Sequence, residues 1–215
     1  MSLNANSPLG KILTKLLDLV ILQLLFLVTS IPVFTIGAGL SAMFAVCRKL
    51  QQDSVTSVVK LYFSEFCSCF KKSTAAWLIV AIAGALLGMS ISYYYHASGA
   101  FHLIPLVIAC ALAVIVYVEF LFVFPLIAWF DNDLFSHFKN APVLAVFHFK
   151  TTLLLTALYA FVFLLAVPIL PITFFIAFSG TALYATLLLT KVFVQHDPAA
   201  APLEQTEAAE EDTLE

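Results

Sequence analysis

From Ala75 to Tyr95 the chain runs without a charged side chain, and from His102 to Phe124 it carries only one carboxylate, Glu119. A helix needs roughly 20 apolar residues to cross the hydrocarbon of a bilayer, so each run suffices for one crossing. Neither run shows the polar stripe of a soluble helix or the strict alternation of a half-buried strand. In lipid the backbone donors and acceptors of such a segment must be satisfied within it, which leaves the α-helix. The expected fold class is therefore all-α, a polytopic transmembrane helical protein. Composition agrees, with 62% apolar and 11% charged residues, against roughly 25% charged in soluble domains.

Two further apolar stretches are too long for single crossings. Leu16 to Cys47 is interrupted by Ser30-Ile31-Pro32 and by Gly37 and Gly39. Proline removes a backbone donor and glycine permits a reversal, so Pro32 and Gly37 are read as the turn of a helical hairpin. Its second arm, Ile36 to Cys47, is short, and either crosses or re-enters on the same side. Thr151 to Thr190 is broken by Pro168-Ile169-Leu170-Pro171, and Pro168 and Pro171 mark a second tight hairpin.

Positive charge decides between five spans and six, since Lys and Arg near membrane segments favour the cytoplasmic side. With about six helices in three hairpins, the external turns around 32–37, 96–101 and 168–171 contain neither residue type. A five-span arrangement exports Lys11 and Lys15. The expectation is a multi-pass membrane protein with both termini cytoplasmic. Residues 1–196 form a single transmembrane domain. The net charge of -3 is misleading, because acidic residues crowd the segment 197–215, which reads as a disordered cytoplasmic tail.

Between the first two hairpins, Val55, Val58, Val59, Tyr62, Phe63, Phe66 and Phe70 recur at helical spacing, with Lys60, Lys71 and Lys72 on other faces. This predicts a cytoplasmic amphipathic helix over about 55–72, lying in the inner interface with its lysines near anionic headgroups. Phe63, Phe66, Phe70, Lys71 and Lys72 form its lipid-facing surface or, alternatively, a docking surface for a partner's helix.

Few residues carry chemistry. Glu119 lies well inside a span beside Tyr117, where a lone charge is costly. It is either a proton- or cation-coupled carboxylate or a hydrogen-bonded packing contact. Asp18 sits one turn past Lys15, within reach of that lysine. His96 and His102 lack further ligands for a metal, and Cys67 and Cys69 point apart on a helix. No phosphate-binding loop, zinc-protease or nucleophile motif is present, so no enzyme, cofactor, metal or catalytic residue is expected. No basic patch stands free of the membrane, which argues against nucleic acid. The expected partners are membrane lipid and another membrane protein.

The stretches Leu9 to Leu13 with Asp18-Leu19, Ile31 to Gly39, Ala42 to Val46, Phe63 to Lys72, and Phe124 to Phe130 with Lys139 to Ala141 together resemble the YesL-like bacterial integral membrane proteins, a family of unknown function. Gln23 stands where that pattern has Asn. The resemblance implies no catalytic residues. It implies association with carbohydrate uptake and use, hence a non-enzymatic accessory component beside a partner such as a sugar permease. The alternative is a small-solute transporter using Glu119.

Overall fold

A computed structural model describes residues 8–51, 57–97, 102–169 and 172–196. They form seven helices, α1 (Pro8–Thr29), α2 (Ile36–Gln51), α3 (Val58–His96), α4 (Leu103–Trp129), α5 (Leu134–Phe147), α6 (Phe149–Ile169) and α7 (Ile172–His196), with a short 3-10 turn at Val33–Thr35. No strand occurs among the described residues. Among the described residues, three helical segments are long and apolar enough to cross a membrane: Val33–Gln51, Val58–His96 and Leu103–Trp129. The pair Leu134–Phe147 and Phe149–Val162, bent by 99°, is a fourth if it counts as one broken span. By length and composition these helices fit a helical membrane protein.

The reversal between α1 and α2 is built by threonines. Thr29 Oγ1 donates to the carbonyls of Leu25 and Phe26 at the end of α1. The Thr35 hydroxyl donates to the carbonyls of Thr29 and Pro32. These bonds add to the backbone bonds that Phe26 and Pro32 already accept from Ser30 and Thr35, and so brace the connection. Pro32 lies in this connection. Gly37 does not: it is the second residue of α2, and its missing side chain serves packing instead of turning.

α2 is the centre of the bundle, in contact with α1, α3, α4 and α7. Residues 37–47 are all buried. Gly37, Ala38, Gly39, Ser41, Ala42 and Ala45 keep its girth small, which is how helices approach closely in lipid. A Cβ on Gly37 would stand 2.4 Å from the Ser73 carbonyl oxygen and 2.5 Å from Trp77 Cβ. Next to this contact, Ser73 Oγ donates to Ser41 Oγ (2.8 Å), and Ser41 Oγ donates to the Phe124 carbonyl (3.3 Å). One buried hydroxyl chain therefore ties α3, α2 and α4 together.

α3 departs from the sequence expectation. Residues 58–72 are not a separate element but the beginning of a 39-residue helix, about 58 Å long at 1.5 Å per residue. The reason is local: Lys71-Lys72-Ser73-Thr74-Ala75 contains no Gly or Pro, and charge alone does not stop a helix. Val58 and Tyr62 are buried, while Val59 and Phe63 are exposed. Further along, Trp77 meets Phe120 and Phe124 of α4. Residues 52–56, 98–101 and 170–171, and the tail from 197, lie outside the described residues, as do the start of the amphipathic segment and Pro171. α6 continues through Pro168 to Ile169.

Candidate functional site

Charged side chains collect where the end of α2, the beginning of α3 and the end of α4 meet. Arg48 and Lys49 occupy the last turn of α2, the end of a helix dipole that favours cations. Arg48 is half-buried. One of its guanidinium nitrogens donates to the Trp129 carbonyl at 3.4 Å, and its central carbon lies 5.3 Å from the centre of the Trp129 ring, a cation–π distance. Lys49 Nζ donates to Glu65 Oε1 at 2.6 Å. Lys72 binds the Asp131 carboxylate and also the Asn132 carbonyl. That hydrogen bond, together with the lysine's charge, holds the Asp131 carboxyl below the usual carboxylate range.

These groups enclose a cleft of about 300 Å³, lined by Arg48, Glu65, Ser68, Cys69, Lys72 and residues 127–131. Trp129 also packs edge-on against Phe193 of α7, which fixes its ring. Its indole Nε1 is shielded and has no hydrogen-bond partner among the described residues. The arrangement offers fixed donors without a nucleophile and its paired base. Among the described residues no group of three His, Cys, Asp or Glu side chains could hold a metal.

The residues singled out by sequence do not form one site. Glu119 is half-buried on α4, and its Oε2 is shielded without a hydrogen-bond partner among the described residues. Tyr117 is exposed and, two positions away on a helix, points to another face. Phe66 and Phe70 are half-buried and touch each other. Phe63 and Lys71 face outward, and Lys72 belongs to the cleft. His96 hydrogen-bonds the Ser92 carbonyl one turn back in its own helix. All four cysteines are free. Sequence reasoning treated Arg48 only as an orienting charge and did not single out Trp129 or Asp131. The available signal was a Trp-Phe-Asp run closing one span opposite an Arg-Lys pair closing another.

Residues 19–91 match the family described as a protein of unknown function, DUF624. The chain is also 30% identical over 149 residues to the uncharacterized protein YteU of Bacillus subtilis (strain 168), covering 68% of this chain and 66% of YteU. The chain belongs to the DUF624 family. This agrees with the YesL-like resemblance of its residues. The chain spans about two thirds of the length of that relative. No solved structure matches it. The DUF624 segment contains Arg48, Glu65 and Lys72, whereas Trp129 and Asp131 come from beyond it.

Proposed function

We propose that this DUF624 protein is a non-enzymatic accessory component of the bacterial cell membrane that docks another membrane protein. In this reading six membrane helices form three hairpins, both termini are cytoplasmic, and residues 58–72 of α3 ride at the inner interface with Phe63 and Lys71 outward. The observation that carries it is the outer part of the α3–α4 hairpin. Leu86, Met89, Leu103, Ile104, Val107 and Val114 are each more than half exposed, so the hairpin projects large side chains on faces that its own chain does not cover. A site for chemistry would sit among fixed neighbours; a docking hairpin needs free faces. The link to carbohydrate uptake, and to a partner such as a sugar permease, comes from the family resemblance.

Photocrosslinking from Val107 on the hairpin, and from Phe63 near the interface, tests the reading in native membranes. A discrete membrane protein attached at one of these positions is the expected result. Attachment of lipid alone at both would overturn it. A second reading, small-solute transport, draws on the shielded Oε2 of Glu119, which has no hydrogen-bond partner among the described residues. It requires Glu119→Gln to abolish solute flux in vesicles, and unchanged flux removes its residue-level support.

A further inference from the structure

We infer that the cleft between α2, α3 and α4 binds a phosphoryl group, gripped by the Arg48 guanidinium, with Lys72 at the rim. Its volume of about 300 Å³ matches the lower end of small-molecule sites. The two carboxylates at the cleft already have cations: Glu65 is engaged by Lys49, and Asp131 by Lys72. Arg48 has the Glu65 carboxylate near enough to act on it electrostatically, but among the described residues no carboxylate pairs with it directly. Among the described residues its guanidinium makes one long hydrogen bond, to a carbonyl. It carries five N–H donors in a planar fork suited to two oxygens of a phosphate. Lying against the Trp129 ring, the fork keeps a fixed plane.

A second observation points the same way. Trp129 is only 9% exposed and packs edge-on against Phe193, so the ring that the guanidinium lies against is held in place beside the cleft. An oxyanion in the cleft would meet a guanidinium whose plane that ring fixes. The phosphoryl group has two possible sources, an anionic phospholipid headgroup or a soluble phosphorylated compound. The chemistry of recognition is shared.

The chain has two tryptophans, so Trp77→Phe leaves Trp129 as the only indole reporter. This full-length variant, stripped of lipid in maltoside detergent, is titrated with inorganic phosphate and, separately, with short-chain phosphatidylglycerol, against sodium chloride of equal ionic strength. A saturable change in Trp129 fluorescence with at least one titrant is expected. Arg48→Gln should raise the half-saturating concentration at least tenfold, Arg48→Lys less, and Lys60→Gln not at all. Response to the lipid alone identifies a headgroup, and response to phosphate identifies a soluble compound; both support the site. Should Arg48→Gln fail to fold, Lys72→Gln replaces it, with a several-fold weakening expected. The inference is overturned by no saturable response to either titrant, or by a response that these substitutions leave unchanged.

Discussion

Replacing Gly37 with alanine should loosen the centre of the bundle, and the size of the effect follows from three distances. The new Cβ would meet the Ser73 carbonyl oxygen at 2.4 Å, Trp77 Cβ at 2.5 Å and a Phe124 ring carbon at 3.0 Å. Ordinary contact begins near 3.4 Å, so α2 and α3 must part by about 1 Å. Neither of the two nearest atoms can swing aside, since one is backbone and the other is the first atom of its side chain. Overpacking of this kind costs about 1–3 kcal/mol. The same displacement stretches the Ser73–Ser41 hydrogen bond from 2.8 Å beyond bonding range, which adds about 1 kcal/mol. A total of about 2–4 kcal/mol corresponds to a fall in Tm of roughly 4–16 °C for a chain of this size. Gly88 is the control, because a Cβ there meets nothing within 4 Å, and alanine favours the helix by up to about 1 kcal/mol. Thermal unfolding in detergent, followed by fluorescence-detected size exclusion, should show Gly37→Ala well below the parent and Gly88→Ala level with it or above. Equal melting of Gly37→Ala and the parent would refute the close-approach argument.

Two further outcomes are accessible with the same material. Tyr62→Phe removes a 2.7 Å hydrogen bond to Thr29 from a fully buried ring; because Thr29 keeps its bonds to Leu25 and Phe26, the cost should be only about 0.5–1.5 kcal/mol, and a much larger loss of Tm would mean that the ring's packing was misjudged. The Asp131–Lys72 tie has a defined pH sign: a carboxyl held below its usual value contributes at neutral pH and loses that contribution as pH falls through the carboxylate range below about 4, so Asp131→Asn should abolish the acid-dependent change in Trp129 fluorescence in the Trp77→Phe background, and an unaltered acid titration would exclude the tie as its cause.

The parts of the fold legible in the sequence were those governed by solvent. The runs Ala75 to Tyr95 and His102 to Phe124 announced α3 and α4 because lipid tolerates so little charge. Pro32 marked a true interruption because proline removes a donor wherever it stands. Gly37 was misread because glycine has two uses, reversal and close approach, and only the tertiary contacts with Ser73 and Trp77 decide between them. The continuity of α3 was hidden by Lys71 and Lys72. They look like an interface, yet nothing in them interrupts hydrogen bonding along the helix. The cleft was illegible for a different reason: Arg48 and Trp129 are far apart in the chain, and each taken alone satisfies the ordinary rule for residues at a membrane boundary.

The cleft can nonetheless be traced to a property of one helix. α2 and the 3-10 turn before it belong to a segment, Val33–Gln51, long and apolar enough to cross a membrane, yet α2 is enclosed by other helices, so it can be built from small residues. Its last turn then carries Arg48 and Lys49 into a space still walled by α3 and α4, instead of out to open water. Charges held there need partners, and the structure supplies a carboxylate for Lys49 but a carbonyl and an aromatic face for Arg48. The difference matters. A carboxylate neutralises a cation, whereas a ring and a carbonyl steady it and leave its charge available. The enclosed central helix thus accounts both for the tight packing around Gly37 at one end and for a half-buried guanidinium without a direct carboxylate partner among the described residues at the other.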